Sequence, residues 1–171
     1  MDSFRIIMVF VVIFVIYVLD KCHYFENKIR KEEIGKLGER IVTNKLKELP
    51  NNFRVENNIR FGLWKCQIDH IVFCDDIKLA IVIETKMWGN NFKGNRNDEY
   101  WITSNNKHVR NPYKQNKYHC KIVRKYYKGY KTYNVVCFVG CKRIPHYSWC
   151  TNENGLLDMV NRIYNRVIMD I

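Results

Sequence analysis

The chain has 171 residues and a mass near 20.7 kDa, room for one domain and a short extension. Hydrophobic residues make up 47% and aromatics 14%, with only eight Gly and three Pro, which excludes a disordered or collagenous chain and leaves material for a packed core. Lys and Arg number 29 against 17 Asp and Glu, giving a formal charge of +12.

The first element is the run Ile6 to Leu19, fourteen residues without a charge or a glycine. A helix this apolar all round needs an apolar solvent on every side. Its fourteen residues cover about 21 Å against about 30 Å of hydrocarbon, and Phe4, a snorkelling Arg5 and the stretch to Phe25 extend it. A buried core helix would need a polar face. A signal peptide would need a small-x-small cleavage site, but Leu19 is followed by Asp20-Lys21-Cys22-His23-Tyr24. A lipoprotein signal would need a small residue where Lys21 stands. The reading is a single-pass anchor over residues 1–25, its transmembrane helix about 4–22, ahead of a domain over 26–171. Lys21, Lys28, Arg30, Lys31 and Lys36 follow the span and only Arg5 precedes it, so the positive-inside bias puts the C-terminal domain in the cytoplasm. Seven cysteines, an odd count set mostly inside strand-like or helix-like runs, read as reduced core thiols and agree with that compartment.

Residues 26–49 are expected as a helix, with Ile34, Leu37, Ile41, Val42, Leu46 and Leu49 on one arc. Gly35 and Gly38 lie on that arc, which predicts close approach to another element. Phe53–Ile59, Gln67–Cys74 and Lys78–Lys86 read as strands, the last two joined by a tight turn at Asp75-Asp76. Residues 87–111 read as a long loop or small ribbon, and a helix follows from Pro112 to about Lys128. A strand over 135–140 and a helix over 153–169 complete an αβββαβα order, an α/β domain around a small mixed sheet.

The hairpin carries the chemistry. Its turn sets Asp69 opposite residue 83 or 84. If it is 84, Asp69 and Glu84 are side by side, with Lys86 two residues on along the same face. Opposed like charges are destabilising unless a cation offsets them, and Mg²⁺ favours one or two carboxylates completed by water and phosphate oxygens. A solvated strand end is the bland alternative. The continuous apolar run Leu79 to Ile83, the pattern of a strand buried on both faces, weighs against it.

These residues, in order, carry a family resemblance. Gly38-Glu39, Gln67-Ile68-Asp69-His70, Glu84-Thr85-Lys86-Met87-Trp88, Gly94, Trp101 and Asn111-Pro112-Tyr113-Lys114-Gln115 closely resemble the nuclease-related domain (NERD) family, over roughly residues 32–140. That family belongs to the restriction-endonuclease-like PD-(D/E)xK superfamily. The resemblance implies an αβββαβ core and metal-dependent phosphodiester cleavage. Carried over, Asp69 and Glu84 hold Mg²⁺ or Mn²⁺, Glu39 adds a metal or water contact from the first helix, and Lys86 orients the attacking water and stabilises the developing charge. Gln67 reads equally as an orienting amide. His70, on the other face of its strand, reads as structural.

On the helix from Pro112, Lys114, Lys117, Lys121, Arg124, Lys125 and Lys128 fall on one face, which leaves Gln115, His119, Ile122 and Tyr126 as the inward stripe. Gln115 is then a site residue or a core amide, and His119 packs beside it. From Lys86 to Lys131 there are twelve Lys/Arg, two acids and nine aromatics, +10 of the total +12. Such a stretch suits phosphates and unpaired bases, or anionic lipid beside the anchor. Cys137, Cys141, His146 and Cys150 form an irregular zinc-like spacing that core thiols explain better. The expectation is a membrane-anchored, Mg²⁺-dependent nuclease acting on DNA or RNA with little sequence preference. The alternative is a catalytically silent nucleic-acid-binding or membrane-tethering module on the same fold. Any protein partner acts in trans.

Overall fold

The computed structural model describes residues 2–62, 66–88, 92–103, 106–141, 144, 147 and 149–170, and for 2–6 the backbone alone. The chain divides into two compact units, Met1–Lys36 and Leu37–Ile171. The first unit is one stretch of helix α1 (Asp2–Leu46). Its apolar side chains from Ile7 to Leu19 are all exposed. Within Ile7–Leu46 the most apolar window has a mean hydropathy of 2.0 and no buried share. This helix is long and apolar enough to cross a membrane. The segments read separately in the sequence as a spanning helix and a helix from residue 26 lie in one continuous helix, with no Pro to interrupt it.

The second unit begins with the last turns of α1. A five-stranded sheet follows in the order β1-β2-β3-β7-β8. Strands β1 (Arg54–Phe61), β2 (Cys66–Cys74) and β3 (Leu79–Lys86) form an antiparallel meander. The chain then leaves the sheet for a three-stranded ribbon, β4 (Phe92–Lys93), β5 (Tyr100–Thr103) and β6 (His108–Arg110). Helix α2 (Pro112–Tyr126) returns it to β7 (Lys131–Phe138), which pairs parallel with β3. Strand β8 (Cys150–Asn152) adds a short parallel edge on β7, and α3 (Leu156–Met169) closes the chain. The αβββαβα order holds. Of the two readings of residues 87–111, loop or small ribbon, the described residues show the ribbon, and β8 is an element the sequence pattern did not reveal.

Leu79, Ala80, Ile81, Val82 and Ile83 of β3 are all fully buried, as a central strand covered on both faces requires. On one face Val72, Ile81, Ile83 and Val135 pack with Val42 and Leu46 of α1 and Leu156 and Val160 of α3. On the other, Ile71, Phe73, Ala80 and Val82 pack with Cys120 and Val123 of α2. The β2–β3 loop spans four residues rather than a two-residue turn, since Cys74 pairs with Leu79.

Two expectations about helix faces need correction. Gly38 does meet another element: a Cβ there would lie 3.1 Å from Met87 Cβ. Gly35 has nothing within 4 Å, so its place on the arc carries no packing role. On α2 the buried residues are Pro112, Tyr113, Asn116, His119, Cys120 and Val123. That stripe is rolled by roughly a quarter turn from the expected one. Gln115 is exposed rather than buried, and Tyr126 is 52% exposed. The cause is Asn116, which sits at the centre of the buried stripe. Its Nδ2 lies 2.8 Å from Val82 O, 2.8 Å from Asn134 Oδ1 and 2.9 Å from Val135 O. A hydropathy arc cannot count a satisfied amide as core.

Candidate active site

The β2–β3 register runs from Cys74 against Leu79 to His70 against Ile83. One further step sets Asp69 against Glu84, the closer of the two pairings the hairpin allowed. The pair lies where β3 emerges from beneath α2, so a charged group can be both buried and reached by helix side chains.

Glu84 is only 2% exposed. Lys86 Nζ lies 2.6 Å from its Oε1, and Gln115 Nε2 donates to the same oxygen at 2.7 Å. His119 Nδ1 stands 3.2 Å from the other oxygen, Oε2, a close polar contact. Burial works to raise the Glu84 pKa, but the polar contact with His119 and the hydrogen bond and charge of Lys86 outweigh it and hold the carboxyl below its usual value.

Asp69 has the opposite fate. Its Oδ2 accepts the Thr85 amide at 2.9 Å. Burial, with the Glu84 charge second, nevertheless pushes its pKa up to about 7. Glu39 on α1 adds to that push and Lys86 opposes it. Glu84 therefore holds the charge and Asp69 takes the proton near neutrality. Environments that drive two neighbouring carboxyls apart mark functional sites more often than structural ones.

Of the residues singled out in the sequence, Asp69, Glu84, Lys86 and Gln115 come together, and His119 joins them through Glu84. Glu39 reaches the group through its charge on Asp69. Among the described residues no three His, Cys, Asp or Glu side chains gather closely enough to cage a metal ion. Two oxygen-donor acids still fit a hard cation completed by water and phosphate, which is what Mg²⁺ and Mn²⁺ tolerate. Gln67 is exposed, and its Nε2 donates to Asn58 at 3.0 Å. His70 is fully buried on the opposite face, between Asn57 Oδ1 at 2.8 Å and Thr85 Oγ1 at 3.1 Å. Burial lowers its pKa to about 4, so it is a neutral core histidine.

The remaining motif residues are architectural. Asn111 caps α2, accepting from the Tyr113 and Lys114 amides, while its Nδ2 donates to the carbonyls of Asn95, Arg96 and Asp98. A Cβ on Gly94 would lie 2.2 Å from the Trp101 ring, so only glycine lets the indole seat there. Trp101 stacks on Phe92 and Phe138 and donates to Asn95 O at 3.0 Å.

The six cations Lys114, Lys117, Lys121, Arg124, Lys125 and Lys128 are all exposed. Cys137 and Cys150 are buried free thiols, Cys141 is buried as well, and burial pushes Cys137 up to about 12. His146 of the zinc-like spacing lies outside the described residues.

Comparison with protein families finds the nuclease-related domain matching residues 34–139. No curated protein and no solved structure matches the chain.

Proposed function

Because the chain belongs to the nuclease-related domain family, we propose that it is a membrane-anchored, metal-dependent nuclease, cutting DNA or RNA with little sequence preference. The observation that carries this is half-buried Asp69 set beside buried Glu84, with Lys86 Nζ 2.6 Å from Glu84 and the two carboxyl pKa values driven in opposite directions. Asp69 and Glu84 would hold Mg²⁺ or Mn²⁺, with Glu39 approaching from α1. When bound, that ion polarises the scissile phosphate and acidifies its water. Lys86 supplies a cation for the charge that develops on the phosphoryl oxygens. Gln115 and His119 fix the Glu84 carboxylate against rotation, as supporting groups fix a ligand. The α2 cations meet phosphates without reading bases, which favours sequence tolerance. The apolar helix anchors the protein, with the domain on the cytoplasmic side.

A second reading, a silent binding or tethering module on the same fold, draws on one observation. Glu84 is already matched by Lys86 and Gln115, so its charge is compensated within the chain. One experiment separates the two. Full-length protein in detergent is given plasmid, single-stranded DNA and RNA with Mg²⁺, Mn²⁺ or chelator, beside Asp69→Asn and Glu84→Ala. Metal-dependent cutting lost in both variants is the expected result. Binding without cutting, unchanged in both, would establish the silent module.

A further inference from the structure

A cavity of about 610 Å³ opens away from the acids, along the edge of β7. Strand β8 pairs only with Val136 to Phe138, so the first half of β7 has β3 on one side and no strand on the other among the described residues. Helices α2 and α3 flank that half-strand. The groove between them is lined by five cations, Arg96, Lys117, Arg124, Arg162 and Arg166, and by no acid. None of the five is ion-paired with a carboxylate among the described residues. Among the described residues Arg124 and Arg162 use only Nε, donating to the Cys120 and Asp158 carbonyls of their own helices. The walls include Tyr113, Tyr133 and Trp149. Arg96 lies over the Tyr113 ring at 4.8 Å, and Tyr113 packs on Trp149 at 4.3 Å.

This groove is distinct from the acid pair. On α2, Gln115 and His119 turn toward Glu84, whereas Lys117 and Arg124 lie on the nearly opposite flank at 100° per residue. Arg162 and Arg166 come from α3, outside the basic stretch that the sequence shows. Five cations lining one recess, with no carboxylate partner among the described residues, focus a positive potential that attracts an anionic occupant. Four of them are Arg, whose planar fork matches phosphate bidentately. Aromatic walls offer stacking surfaces to unpaired bases. A flat membrane surface would meet protruding side chains rather than a recess between two helices and a strand edge.

We propose that the β7-edge groove is a second binding track for single-stranded nucleic acid, holding the strand at a distance from the acid pair. The proposal rests on the reading that the chain acts on nucleic acid, but not on its cutting. The variant Arg162→Glu with Arg166→Glu reverses two groove charges. Lys31→Glu with Lys47→Glu makes the same charge change away from the groove. Full-length proteins in phosphatidylcholine nanodiscs are titrated with a labelled 30-nucleotide strand across a salt series, with circular dichroism checking the fold. The groove variant should lose at least tenfold in affinity, and its log–log salt slope should flatten by about 1.4, two phosphates at roughly 0.7 each. The control variant should keep the slope. Equal losses in both variants, or none in the groove variant, would overturn the proposal. So would binding that 30% phosphatidylglycerol weakens in the native protein but not in the groove variant, since lipid would then be the occupant. Cleavage by the native protein is scored separately. Intact cutting with an unchanged groove variant rejects the groove alone, and no cutting with a weakened groove variant rejects the nuclease alone. Should the double reversal unfold the protein, Arg162→Gln with Arg166→Gln is the substitute, with the same direction of effect.

Discussion

Lys86 Nζ and Gln115 Nε2 meet at one atom, Oε1 of Glu84, at 2.6 and 2.7 Å. One donor comes from two residues along the same strand and the other from the first turns of α2. Removing Lys86 leaves a carboxylate that is 2% exposed without its principal cation. Lys86→Ala should reduce metal-dependent cleavage at least a hundredfold, and Gln115→Ala by roughly tenfold, since the amide positions Glu84 without carrying charge. A cleavage series with both variants checks the ranking.

The pH dependence of stability is expected to hide two opposed contributions. Asp69, raised to about 7 from an unfolded value of about 3.9, stabilises the fold below pH 4 and loses that contribution as pH rises through 7. His70, lowered to about 4 from about 6.5, does the reverse: its contribution is present above 6.5 and is lost as pH falls through 4. Asp69 faces Glu84, Glu39 and Lys86, and His70 feels Glu84. Metal-free protein should therefore show a shallow Tm profile between pH 4 and 7. Asp69→Asn removes one arm, so its Tm should rise with pH across that window, as thermal unfolding in chelator would show.

Asn116 is a core residue in all but chemistry. Asn116→Leu keeps the volume roughly but deprives Val135 O and Asn134 Oδ1 of their donor. A loss of about 2–3 kcal/mol is expected for buried acceptors left unmatched. Denaturant unfolding measures it.

Gly94→Ala should act locally. A Cβ 2.2 Å from the Trp101 ring forces the indole out of its stack, at a cost of about 1–3 kcal/mol. Hydrogen exchange should quicken across β4 to β6 and Trp101 emission should shift red, with the β1–β3 meander unaffected.

The apolar part of α1 can be tested by composition. Lys at the centre of a span costs roughly 2.5–3.5 kcal/mol per residue. Ile13→Lys with Ile16→Lys should move the protein from the carbonate-resistant membrane fraction to the supernatant.

Much of the fold is legible because its signals are local. The buried run Leu79 to Ile83, the Asn111-Pro112 helix start and the apolar run at the N-terminus each speak through neighbours in sequence. The pair Asp69 and Glu84 was legible through strand alternation, which puts both on one face of the hairpin; the four-residue loop then fixes the partner, since Cys74 against Leu79 carries on to Asp69 against Glu84. What escaped depends on distance. Asn116 reads as polar until Val82, Asn134 and Val135 surround it. Strand β8, three residues long, has no periodicity to detect. Arg162 and Arg166 look like an ordinary solvated face, one turn apart on α3. Only the fold brings them beside Lys117 and Arg124.

Asn111 touches neither acid, yet it fastens two parts of the molecule. Its side chain grips three ribbon carbonyls, and its own carbonyl receives the Gln115 amide at 3.1 Å. The ribbon and the residue that clasps Glu84 thus hang from one rivet. Displacing the ribbon would pull on the same turn of helix, which ties the loops mechanically to the residue that clasps Glu84.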